Sequence, residues 1–222
     1  MQPNSLAFIA LCNEFCSTLE GVAAGSDRAP SSRAELVASM LNYIPRLYIS
    51  ATDLKEEASA DDSHDGHCGC GHDHCCDDEA DDCCHCDDCS DSDELYTIAD
   101  DHEGWGIESV LDEEYYNSVR SSIEALLGPD DVYLEVFEED MKYSDTPISA
   151  SVAEGLADIF QSLYNFIETV REVPSEHISS VLTSAKEDFE HYWSRIACNL
   201  MRALNNIRYF NPSDDENCDA DQ

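Results

Sequence analysis

From Lys55 to Glu103 the chain offers very little to bury: large apolar residues are scarce and acidic residues abound. A segment of low hydrophobicity and high charge does not gain enough from burial to offset the entropy of ordering it. This stretch is expected to be disordered unless something else orders it. Any hydrophobic core must therefore be assembled from the parts of the chain on either side. The expected organisation is a discontinuous helical domain over 1–54 and 104–210, an acidic Cys/His-rich insertion over 55–103, and an acidic tail over 211–222. Loop-closure entropy grows only logarithmically with length, so an insertion of this size is compatible with a closed body.

The flanking parts carry helical periodicity. Leu6, Ile9, Cys12, Phe15, Cys16, Leu19 and Val22 recur at steps of three and four over Ser5 to Ala23, with Gly25 as the stop. A second stripe, Leu36, Val37, Met40, Leu41, Ile44, Leu47 and Tyr48, follows a capping box of Ser32 and Glu35. Pro45 inside it predicts a kink or break. Leu111, Tyr115, Val119, Ile123 and Leu126 form a third stripe, ended by Gly128-Pro129. Val132, Leu134 and Val136 alternate like a strand, but without an evident partner they suggest a short helix or an extended connector. Ser151 and Glu154 box the start of a fourth helix, with Val152, Leu156, Ile159, Phe160, Leu163, Phe166, Ile167 and Val170 on its core face. After Pro174, Ser175 is expected to cap one long last helix reaching about Tyr209. The fold class is all-α: a bundle of about five to six helices with a long loop between the second and third.

The insertion supplies the chemistry. His64, His67, Cys68, Cys70, His72, His74, Cys75, Cys76, Cys83, Cys84, His85, Cys86 and Cys89 lie within 26 residues. Thiolate and imidazole are the side chains soft transition metals bind best. Cys83 to Cys86 and Cys86 to Cys89 are C-x-x-C pairs, a spacing that sets two sulfurs about 3.7 Å apart on one tetrahedral ion. The C-x-C and Cys-Cys pairs suit neighbouring ions instead. Zinc is the first expectation; the histidines favour nickel and the C-x-C pairs copper(I). The ligands do not follow the two spaced pairs of a zinc finger or ribbon, so a flexible cluster is expected over a rigid site. The intervening aspartates read either as outer-shell acceptors and a funnel for cations, or as residues that keep a linker solvated.

The 49 acids stand against 11 Lys and Arg, a formal net charge of -38, and no Lys or Arg lies between Lys55 and Arg120. This balance disfavours nucleic acid and anionic membrane as partners and favours cations and basic proteins. The first stripe lacks a basic leader, is interrupted by Asn13 and Glu14, and places Leu11 before Cys12, unlike a signal peptide or lipoprotein site. No uninterrupted apolar run reaches membrane-spanning length. A cytoplasmic location, with reduced thiols, is the expectation.

Other candidates read as structural. Cys12, Cys16 and Cys198 are expected to pack as small hydrophobes. Asp188 and His191 make the one approach to the Glu-x-x-His element of a di-iron bundle; the site needs two such helices. His191 and His177 are expected to be solvated or cap-like. Arg195, Arg202 and Arg208 form the one comparatively basic face. Phosphate-cradling glycine loops, G-x-S-x-G elbows and H-E-x-x-H motifs are absent from the sequence, which lowers the expectation of an enzyme.

The segment Phe8 to Cys16, the run Val152 to Phe160, and Trp193 with Leu200 to Leu204 resemble a family of uncharacterised bacterial all-helical domains, over Ser5 to about Asp53 and Val110 to about Tyr209. The resemblance implies an all-α cytoplasmic body and supplies no catalytic residue; the Cys/His-rich stretch departs from the family pattern. The functional expectation is a metal buffer, carrier or sensor whose body docks a protein partner. The alternative is an interaction domain with an acidic tether and incidental metal affinity. Oligomeric state is left open by the sequence.

Overall fold

The computed structural model describes residues 3–54, 105–135 and 148–210. Six α-helices account for most of them: α1 (Pro3–Ala23), α2 (Arg33–Thr52), α3 (Glu113–Leu127), α4 (Val152–Glu172), α5 (Ile178–Asp188) and α6 (Ser194–Tyr209). The all-α expectation holds. The described residues before 55 and after 104 belong to one unit.

Helix α4 is the centre of the bundle because both its flanks are apolar. More than half of its 21 residues are buried. It packs against α1, α3, α5 and α6, while α2 closes the body against α1 and α6. Phe8 of α1 meets Phe166 of α4 with ring centroids 5.5 Å apart, and Tyr115 of α3 meets Phe160 edge-on at 6.0 Å. Gly155 allows α4 and α6 to approach closely: a Cβ there would lie 3.1 Å from Leu200 Cδ2 and 3.2 Å from Ile196 Cγ2, and those side chains would have to shift. Helix α1 is long and apolar enough over Asn4–Ala23 to cross a membrane by length and composition, which the count of uninterrupted apolar runs did not register. Within the bundle its Phe8, Leu11, Cys12, Phe15, Cys16 and Leu19 are buried.

The caps follow the sequence with one exception. The Ser32 hydroxyl accepts from Glu35 N at 3.3 Å, and the Glu35 carboxylate reaches back to Ser31 N at 2.9 Å. The amide and hydroxyl of Ser31 hold the Glu35 carboxyl below its ordinary pKa. Ser151 caps α4 through Glu154 N. Ser175 does not cap α5: a turn closed by His177 N on Pro174 O intervenes, and the helix begins at Ile178.

Three departures have physical causes. First, α2 runs unbroken through Pro45; buried Met40, Ile44, Leu47 and Ala51 on both sides hold the helical path where the proline removes one hydrogen bond. Second, Val132–Glu135 is a strand (β1), because it does have a partner. Ile148–Ser151 (β2) pairs with it antiparallel, Val132 opposite Ser151 and Glu135 opposite Ile148. A short 3-10 turn, Gly128–Asp131, leads into β1 after Gly128 turns the chain at φ +55°. Third, the last helix is not continuous: a π turn, Phe189–Trp193, separates α5 from α6. The buried residues Val181, Ala185, Phe189, Trp193 and Ala197 are spaced by four throughout. In a straight α-helix each such step walks about 40° round the axis, and the wider π turn brings the stripe back onto the core.

Candidate functional site

All thirteen sequence-derived metal ligands, His64 to Cys89, lie outside the described residues, as do the remainder of 55–103 and the tail from 211 onward. Among the described residues, no group of three or more His, Cys, Asp or Glu side chains is placed to hold a metal ion. Cys12 and Cys16 are core residues, as expected. Burial, reinforced by the neighbouring thiol or by Glu20, pushes both thiols far above their ordinary pKa. Cys198 corrects the packing expectation: it is exposed on α6, beside Tyr48. His191 is exposed and donates from Nδ1 to the Glu187 carbonyl at 2.8 Å. His177 stacks on Trp105, with ring centroids 5.2 Å apart and planes 25° from parallel.

Trp105 opens the segment in which the chain re-enters the body. The strap Trp105–Asp112 is not helical; it is held by side chains of α4 and α5. Ser180 Oγ donates to Trp105 O at 3.1 Å, and Glu108 N donates to Thr169 Oγ1 at 3.2 Å. Asn165 Oδ1 accepts from both Val110 N, at 3.0 Å, and Leu111 N, at 2.9 Å. Asn165 and Thr169 are 8% and 7% exposed, and with Asp131 they are the buried polar residues of the described body. A helix that buries an amide and a hydroxyl one turn apart does so because an extended chain needs acceptors there.

Between the strap and the bundle lies a polar cleft of about 360 Å³, lined by Glu108, Ser109, Asn165, Ser184, Asp188 and Tyr192, with Ile107, Gln161 and Ser162 completing it. Burial raises the Asp188 carboxyl above its ordinary pKa, against a hydrogen bond from Ser162 that lowers it. Tyr192, on the π turn, is likewise raised, first by burial and then by the charges of Asp158 and Asp188. Tyr116 Oη donates to Asp158 Oδ1 at 2.7 Å, which ties α3 to the same corner of α4. The site thus combines two carboxyl groups, an aromatic ring and several hydroxyls and amides, and no basic side chain lines it. Sequence reasoning missed all of this except Asp188, which it weighed only as a di-iron ligand. The available signal was the pair Asn165 and Thr169 on the otherwise apolar face of α4.

A second, larger cleft of about 570 Å³ lies between β1 and α6, where Asn199, Arg202, Ile207 and Phe210 face Val132–Glu135. It borders Glu135 and Phe210, the last described residues before 136–147 and 211–222.

No curated protein matches this chain. In three dimensions it is similar to the crystal structure of protein BF1032 from Bacteroides fragilis, a Northeast Structural Genomics Consortium target. The two share 22% identity over 94% of each chain, with a TM-score of 0.61, a likeness of fold. The profile of the family described as Domain of unknown function (DUF5063) matches residues 91–210, from the end of the acidic stretch through α6. The chain therefore belongs to the DUF5063 family.

Proposed function

We propose that this protein captures soft transition-metal ions through the segment His64 to Cys89 and serves as a metal buffer, carrier or sensor. The helical body acts as scaffold and as the dock for a protein partner. One observation carries the reading: eight cysteines and five histidines fall within 26 residues. Zinc suits the mixed thiolate-imidazole set, with nickel and copper(I) as the competing occupants. Cys12 and Cys16 are buried in the helical core and are not counted among these ligands. The neighbouring aspartates concentrate cations and oppose thiol ionisation until an ion binds. Capture therefore releases protons and weakens as pH falls.

The test is a titration of the full reduced chain with zinc, nickel and cuprous ions in a weakly buffered solution, read by calorimetry and proton release. Sub-nanomolar uptake of about two or more ions, with protons displaced, is the expected result. Micromolar uptake that glutathione reverses would replace the reading with that of an acidic tether. A reduced chain that takes up no ion and releases no proton would end it.

A further inference from the structure

The cleft under the strap has no part in the metal reading, and its lining describes a different ligand. Asn165 fixes the argument. Its Oδ1 accepts two backbone N–H groups, and this sets the orientation of the carboxamide, since the nitrogen has no lone pair to offer them. The Nδ2 group, with two donors, then has no partner among the described residues, although Asn165 is 8% exposed and lines the cleft. This donor is open to the cleft, where it can be given to water or to the acceptor of a bound molecule. Around it stand the carboxyl groups of Asp188 and Glu108, the Tyr192 ring, and the hydroxyls of Ser109, Ser162 and Ser184. Asp158 and Glu154 act on Tyr192 with the same sign of charge. With no Lys or Arg lining it, the cleft is a field for cations. A bare metal ion does not suit an amide N–H donor, and the acids here are not grouped as metal ligands. An organic cation does: its N–H groups reach carboxylates, and its charge gains from an aromatic neighbour.

We propose that this cleft binds a small organic cation, an ammonium or guanidinium compound bearing a carbonyl or hydroxyl oxygen, with its charge at Asp188 and Glu108 and its oxygen on Asn165 Nδ2. About 360 Å³ accommodates a molecule the size of an amino-acid amide.

The test uses the full-length chain, ¹⁵N-labelled, with L-argininamide as the probe. Agmatine, which lacks the carbonyl, and succinate, an anion, are the comparators. Argininamide is expected to shift the Asn165 carboxamide resonances saturably, agmatine to bind several-fold more weakly, and succinate to leave them in place. Asp188→Asn is expected to raise the argininamide Kd roughly tenfold, as loss of a charge-assisted partner does, and Glu108→Gln on the exposed strap gives the same direction without touching the body. Two results overturn the proposal. One is an Asn165 signal unmoved by argininamide while signals from 55–103 shift, which would mean general attraction to an acidic chain. The other is an argininamide titration curve unchanged in both variants.

Discussion

Asn165 shows how much one buried polar side chain can organise. Its oxygen accepts Val110 N and Leu111 N, and Leu111 is itself a core residue. Asn165→Leu leaves both donors without an acceptor, and a loss of about 2–4 kcal/mol is expected from two such groups, read as a lower urea midpoint. Asn165→Asp keeps both bonds and should cost clearly less. Asp188 behaves in the opposite sense. Its folded-state pKa is raised, chiefly by burial. Between the ordinary carboxylate pKa and that raised value the folded state holds more protons than the unfolded one, so stability falls as pH rises through this window. Asp188→Asn removes the ionisation, and the variant is expected to melt no lower than wild type at pH 7, with a flatter stability profile across the window. At this scale the sequence was legible where a residue follows its usual habit. Ser32, Ser151, Cys12 and Cys16 all did so. Asn165 and Thr169 were not legible, because their partners lie on a strap more than fifty positions away along the chain.

Elements were legible in proportion to the length of their periodic pattern. The stripes of α1 and α4 extend over five or more turns and leave one solution. β1 failed to declare itself because four alternating residues are as consistent with a connector as with a strand, and its partner sits hidden against the cap of α4. The π turn was written in the spacing, as repeated steps of four from Val181 to Ala197, which a straight helix does not satisfy. Pro45 misled for a related reason: local chemistry argued for a break, and packing on both sides outweighed it. That balance gives a prediction. Inside a helix, proline leaves the carbonyl four residues back without its donor, while it also restricts the unfolded chain. Since α2 already has helical geometry at this position, Pro45→Ala is expected to stabilise the body by about 1–2 kcal/mol, measured by urea denaturation.

At the scale of the whole molecule, the distribution of buried residues argues for a body that folds on its own terms. The core cluster runs from Phe8 to Leu54 and from Leu111 to Ile207. The strap supplies Leu111 and the packed Ile107, so among the described residues its anchors belong with the body. The charge is placed the other way: the span from Lys55 to Arg120 has no Lys or Arg between its ends and carries the densest run of acids. Replacing residues 56–102 by a glycine-serine linker of about twenty residues therefore removes repulsion and all thirteen candidate metal ligands, and leaves in place every core residue among the described residues. Such a chain is expected to keep its helical circular dichroism and a single cooperative melt, with a midpoint equal to or above that of the metal-free parent at low salt. Added salt should narrow any gap, because screening weakens repulsion in the parent more than in the shortened chain. Metal uptake should vanish while argininamide binding at the strap cleft persists, which separates the two proposed sites in one molecule. Loss of the cooperative melt would place residues 56–102 within the folding unit and make the bundle dependent on the stretch that the sequence sets apart.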